Sequence, residues 1–267
     1  MTQPCVIVSE PAAHVLQIAI NRPEAKNAID EKTRLALIDA IESALANEQV
    51  RALLLCGKDG IFCAGGDLAS MGGMNEQQAR ERMQSGHKLI KLLWNANIPI
   101  VAAMEKYAIG AGAGLALVAD HIVAGDNTRM NFPFLQLGLV PDWGSTQSLI
   151  RKAGWSNARR LILNKTSLKG EELLKLNLIE ELVADQQVLD TAIAKASEFA
   201  QLPRLALSLF KQRLRDFPES MEASLASEEE EQTQCFLSDE FEEGLKALQV
   251  KRNPDFLSIA TKRPSRG

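Results

Sequence analysis

The chain has 267 residues, of which 46% are hydrophobic, 24% charged and 5% aromatic, and its formal net charge is −4. That is enough apolar material for one large globular domain or two smaller ones, and the acidic balance leaves no basic footprint for nucleic acid. Cys5, Cys56, Cys63 and Cys235 show no CxxC spacing, and there is neither an opening leader-like segment nor an apolar run of roughly 18 residues. Free thiols in a reducing cytoplasm, with no membrane partner, are therefore expected.

In chain order, residues 5–9 and Val15–Ile20 are rich in β-branched side chains and flank Glu10-Pro11-Ala12-Ala13, which predicts a β-hairpin at a sheet edge. A polar loop follows, Asn21-Arg22-Pro23-Glu24-Ala25-Lys26-Asn27-Ala28. Asp30 is a good N-cap for a helix over Glu31–Ala46, with Leu35, Ile38, Ile41 and Leu45 expected on its apolar face. Residues 51–56 form the uninterrupted apolar run of a buried parallel strand, and the glycine-rich stretch GKDGIFCAGGDLASM comes next.

Residues 75–94 have helical periodicity, with charges at Glu76, Arg80, Glu81 and Arg82. The central stretch, residues 98–146, joins an apolar strand (IPIVAAM) to Gly110-Ala111-Gly112-Ala113-Gly114, and then runs to LGLVPDWGST with its one carboxylate, Asp142. Residues 121–124 read as another short strand, 127–134 as a crossover, and 145–163 as helical segments broken at Gly154. Helical patterning then dominates, over 170–176, 186–200, 204–217, 221–232 and 236–248. Strands alternating with helices, followed by helices alone, predict an α/β core over residues 1–200 and a helical region over 201–267, with Pro203 at the joint.

Two glycine-rich loops after buried strands bring bare backbone N–H groups within reach of an anionic oxygen. Each alone can equally be a tight turn. The G-x-G-x-x-G spacing of a dinucleotide loop fails, no Walker lysine follows either loop, and no G-x-S-x-G elbow is present. His14, His87 and His121 lie far apart with no cysteine pair, so no metal site is expected. Val140, Pro141 and Trp143 should strip water from Asp142 and raise its pKa, which suits a proton carrier. A helix N-cap is the other reading of Asp142.

The segments Asn21 to Ala28, Phe62-Cys63-Ala64-Gly65-Gly66-Asp67-Leu68, Tyr107-Ala108-Ile109-Gly110-Ala111-Gly112 and Gly138-Leu139-Val140-Pro141-Asp142-Trp143-Gly144-Ser145-Thr146-Gln147 resemble those of the crotonase superfamily, the enoyl-CoA hydratases and isomerases. The resemblance runs in order along nearly the whole chain, as far as Ser238 to Gly244. It implies an α/β fold, a spiral of ββα units with a helical C-terminal region that builds a homotrimer or a dimer of trimers. It also implies an acyl-CoA thioester as partner, with coenzyme A entering as part of the substrate and no separate cofactor.

The resemblance matches Gly66 and Ala111 to the two backbone donors that hold the thioester oxygen. It places Ala25, Lys26, Ala64, Gly65, Asp67 and Leu68 along the coenzyme A path. Hydratases of this family carry two glutamates, at positions that here hold Gly114 and Phe134. Neither residue moves a proton, so efficient hydration is not expected. Asp142 falls where isomerases that shift a Δ3 double bond, and the ring-opened phenylacetate-pathway isomerase, keep their carboxylate. One carboxylate suffices for a double-bond shift, because it can take a proton from C2 and return it at C4.

The expected function is thus an enoyl-CoA isomerase with Asp142 as sole acid/base. The alternatives are a hydratase, a non-catalytic acyl-CoA-binding protein of the same fold, and, more weakly, an enzyme using Asp142 as nucleophile. Phe132, Phe134 and Trp143 suggest an apolar acyl pocket.

Overall fold

The computed structural model describes residues 3–259. The described residues divide into two compact units, one up to Ser197 and one from Glu198 onward.

The first unit is organised by a six-stranded sheet in the order β1-β2-β3-β4-β6-β9. Its strands are β1 (Val6–Ala12), β2 (Val15–Ile20), β3 (Ala52–Gly57), β4 (Ile100–Met104), β6 (His121–Gly125) and β9 (Glu181–Val183). β1 pairs with β2 antiparallel, and every later neighbour is parallel. Every residue of β3 and β4 is buried, as their unbroken apolar runs require of strands in the middle of a parallel sheet. A smaller sheet pairs β5 (Tyr107–Ile109), β7 (Arg129–Asn131) and β8 (Leu168–Lys169).

The hairpin differs from expectation. β1 continues through Glu10 and Pro11 to Ala12, so the turn is Ala13-His14, with His14 left-handed at φ 65°. Pro11 is tolerated because β1 is an edge strand, where a missing N–H breaks no ladder on the outer side.

Helix α1 (Glu31–Ala46) starts at Asp30, whose carboxylate accepts from the Thr33 N–H at 2.8 Å. Its buried face is Leu37, Ile38, Ile41 and Ala44, while Leu35 is 47% exposed. At 3.6 residues per turn Leu35 lies about 120° round from Ile41, outside the apolar stripe. Helix α2 (Glu76–Trp94) is opened by a capping box between Asn75 and Gln78. Helix α3 (Ala111–Leu117) follows Gly110, and α4 (Ser145–Leu163) is kinked at Gly154, whose φ of 78° no ordinary helical residue adopts. Helices α5 (Gly170–Lys175) and α6 (Val188–Ala200) complete the alternation.

The second unit contains α7 (Arg204–Arg215), α8 (Met221–Phe236) and α9 (Asp239–Gln249). Phe236 closes α8 rather than opening α9, because Ser238 caps α9 by accepting from the Phe241 N–H at 3.1 Å. Glu240 is buried and serves α7, accepting from the N–H groups of Arg204 at 2.7 Å and Leu205 at 3.0 Å. Those are orphan donors of a helix start whose own N-cap, Pro203, offers no side-chain acceptor. Among the described residues no helix is long and apolar enough to cross a membrane.

Candidate active site

β3 and β4 are parallel neighbours, and both glycine loops leave their carboxyl ends. This is the edge of an α/β sheet at which ligands bind. Residues 58–67 follow β3, whereas β4 is followed by β5, Gly110 and the start of α3.

The two loops are stitched together by main-chain bonds. Cys63 N–H donates to Tyr107 O at 2.8 Å, and Ile109 N–H donates to Cys63 O at 3.1 Å. On the other side Ile29 N–H donates to Gly65 O at 2.7 Å and Asp67 N–H donates to Ile29 O at 3.0 Å. Gly65, at φ 104°, allows the close approach: a Cβ there would stand 2.6 Å from Ile109 O and 3.8 Å from Ala111 N. Nearly every amide of the loop is spent on this stitching, including Ala64 N–H on Lys26 O at 3.0 Å, Gly65 N–H on Cys63 Sγ at 3.3 Å and Gly110 N–H on Asn131 O at 2.9 Å.

Two of the amides left over bear on the site. Among the described residues, neither Gly66 N–H nor Ala111 N–H finds an acceptor. Ala111 is the first residue of α3, where a helix has no partner for its N–H. Gly66 lies between Gly65, which accepts, and Asp67, which donates, in the same bridge to Ile29.

The residues assigned to the coenzyme A path collect around these loops. Ala64 is tied to Lys26, and Ala25 sits in the same turn. Lys26 is left-handed at φ 53°, and its Nζ lies 5.9 Å from the Tyr107 ring centre. Leu68 is 61% exposed. The Asp67 carboxylate is already engaged: it accepts from Ala69 N–H at 3.1 Å and from Arg22 at 3.0 Å. Arg22, to which the sequence alone assigns no role, also reaches Asp30 at 3.3 Å and Ala28 O at 2.6 Å. It thereby joins the loop before α1 to the loop after β3.

Asp142 is half-buried, and its Oδ1 is shut from solvent with no hydrogen-bond partner among the described residues. Burial pushes its carboxyl above the usual range, while Arg82, its own backbone N–H and His87 pull the other way. The capping reading does not hold. The N-cap of α4 is Gly144, and no side chain bonds the start of that helix. Nor is the expected apolar cover complete, since Val140 is 78% exposed where the chain turns outward, and only Trp143 is buried.

Gly114 and Phe134 are the residues that the resemblance matches to the two hydratase glutamates. A Cβ on Gly114 would stand 2.7 Å from Trp143 O, 2.8 Å from Trp143 Cβ and 2.9 Å from Ser145 Oγ. Trp143 itself is left-handed at φ 52°, an uncommon conformation for a bulky residue. Phe134 is buried, with its ring 3.8 Å from where a Cβ on Gly110 would lie, and Phe132 is fully buried. Cys63, beside the free amides, has its thiol pushed up to about 12 by burial, which excludes it as a nucleophile.

In the sequence Arg82 is marked only as a charge of helix α2. Its Nη2 lies 3.3 Å from the Cβ position of Gly66, and its Nη1 donates to Ser70 Oγ at 3.2 Å. Periodicity marks α2 as amphipathic but carries no signal that this turn reaches the loop after β3. Among the described residues no group of three or more His, Cys, Asp or Glu side chains could hold a metal ion.

The site thus offers the unpaired amides of Gly66 and Ala111 and one desolvated carboxylate. The same backbone is found in an enoyl-CoA hydratase from Bacillus anthracis, which superposes with a TM-score of 0.89 at 25% identity, over 94% of this chain and 98% of that one. Among proteins of known activity, the chain is 33% identical over 243 residues to a 2,3-dehydroadipyl-CoA hydratase of Escherichia coli K12, covering 91% of this chain and 94% of that protein. It is 30% identical over 255 residues to a 1,2-epoxyphenylacetyl-CoA isomerase of the same organism, covering 94% and 97%. Hydratase names predominate among similar proteins.

Fold and relatives together define an enzyme of the crotonase superfamily. The chain belongs to the enoyl-CoA hydratase/isomerase family, whose model matches residues 10–258.

Proposed function

We propose that the protein is an acyl-CoA isomerase that moves a double bond from Δ3 to Δ2 through an enolate. The thioester oxygen accepts from the N–H groups of Gly66 and Ala111. That both amides lack an acceptor supports this role, and a donor fixed in place before charge develops on that oxygen is worth about 3–4 kcal/mol in the transition state. Asp142 removes the proton from C2 and returns it at C4 of the same dienolate. Lys26, Ala25 and the loop from Ala64 to Leu68 border the coenzyme A path.

One observation carries this reading over hydration. Gly114 faces the main chain of Trp143 too closely for any side chain, while Asp142 Oδ1 is buried and unpartnered. Hydration needs a water to be oriented and deprotonated while C2 is protonated, and a single carboxylate serves a proton shuttle better than this two-site task. An isomerase among the relatives supports the proposal; the more numerous hydratase names support hydration as the second reading.

The deciding experiment measures isomerisation of trans-3-hexenoyl-CoA and hydration of crotonyl-CoA on one preparation. Faster hydration reverses the assignment. We further propose a cytoplasmic homotrimer or dimer of trimers, supported by large exposed apolar side chains on the second unit such as Phe210, Phe217 and Met221. Light scattering tests the assembly.

A further inference from the structure

Arg82 projects from α2 to within 3.3 Å of the Cβ position of Gly66. It is half-buried, and among the described residues its side chain makes one hydrogen bond, from Nη1 to Ser70 Oγ. Among the described residues no carboxylate lies within the 4.0 Å of an ion pair with it. A guanidinium carries five N–H donors in a planar fork, so most of its capacity is unspent. Its charge also favours the ionised form of Asp142 against the effect of burial, and the buried Oδ1 of Asp142 has no partner among the described residues. A cation with open donors therefore stands beside Gly66, whose amide is free, and its charge is felt by the unpartnered carboxyl of Asp142. An aliphatic acyl chain gives such a group nothing to bind.

We propose that Arg82 recognises a carboxylate carried on the acyl group, so that the site selects thioesters of dicarboxylic acids over those of simple fatty acids. This rests on Gly66 as anchor of the thioester oxygen. The chemical logic is pairing: the planar fork matches a carboxylate, the pair is charge-assisted, and partial burial strengthens it. Without the cation, an anionic acyl group would meet Asp142 unopposed. Met71, whose Cε lies 2.4 Å from the Cβ position of Gly66, supplies an adaptable apolar wall at the same place.

The test is binding of unreactive saturated thioesters by calorimetry, which needs no turnover and so stands apart from the isomerase assay. Succinyl-CoA is compared with butyryl-CoA, and adipyl-CoA with hexanoyl-CoA, on the wild-type protein and on Arg82→Met and Arg82→Lys. In the wild type at least one dicarboxylic thioester should bind about 10- to 100-fold tighter than its uncharged counterpart. Arg82→Met should bring that ratio to one or below, and Arg82→Lys should restore part of it.

Equal or weaker binding of both dicarboxylic thioesters by the wild type overturns the proposal, whether or not the variants fold. So does an Arg82→Met protein that loses affinity equally for all four, which would place Arg82 on the shared coenzyme A portion. If selectivity is present but no double-bond shift is detected, the isomerase reading fails and the carboxylate site stands.

Discussion

The carbonyl oxygen of Trp143 stands 2.7 Å from where a Cβ on Gly114 would be, and the Trp143 Cβ stands 2.8 Å from it. A main-chain atom cannot swing aside as the end of a side chain can. Gly114 is therefore required by the turn that carries Asp142, and a glutamate cannot be restored there without moving that turn. Gly114→Glu should lower stability by about 1–3 kcal/mol through overpacking, with isomerisation falling and no hydratase activity appearing. Thermal melting and both assays check it, and a well-folded, hydrating variant would refute the steric argument.

Asp142→Asn should lose on the order of 10²–10⁴ in kcat, because the amide cannot accept the proton, while acyl-CoA affinity is largely kept. Its Tm should be unchanged or higher, since a desolvated, unpartnered carboxylate is removed. A marked fall in Tm with intact turnover would instead return Asp142 to a structural role.

The raised pKa of Asp142 has a signed consequence. Its folded pKa exceeds the unfolded one, so its contribution to stability is present below the unfolded pKa and is lost as pH rises through the folded pKa. As the proposed base, it would act in its ionised form. The ascending limb of kcat/KM should therefore lie above the ordinary carboxylate range, in the same window where wild type loses stability relative to Asp142→Asn. Chemical denaturation of both proteins across pH 3 to about 8, spanning the usual carboxylate range, reads the stability difference, which should grow with pH.

Gly66→Pro removes one of the two free amides, and Gly66→Ala keeps it while adding a methyl toward the flexible end of Met71. The proline variant should fall below the alanine variant by about 10²–10³ in kcat, the usual effect of losing one oxyanion donor. Equal activities in two folded proteins would remove Gly66 from the thioester site.

Arg22→Met leaves Asp67 without its cation and unties the loop before α1 from the loop after β3. KM should rise more than kcat falls, with stability lower by about 1–3 kcal/mol. Unchanged KM would show that Arg22 serves folding alone.

What the sequence determined by itself was local. The alternation of apolar runs with amphipathic segments foretold the α/β core, Asp30 foretold the start of α1, and the glycine stretches after residues 51–56 and 98–104 foretold two backbone-lined loops. These follow from period, capping and turn chemistry, which act over a few residues. Strands β5, β7, β8 and β9 have two or three residues each, too short to show a period, and exist because neighbours hold them. The free amide of Ala111 follows locally from its place at the start of α3, but only the tertiary structure decided that Gly66 keeps a free amide, because the bonds that use up amides around it come from Lys26, Ile29 and Tyr107 on other segments. It also decided that Trp143 closes the space beside Gly114, that Asp142 caps nothing, and that Arg82 reaches Gly66. Those are contacts between segments distant in the chain, set by which strands lie side by side and in what register, and no pattern within a single segment encodes them.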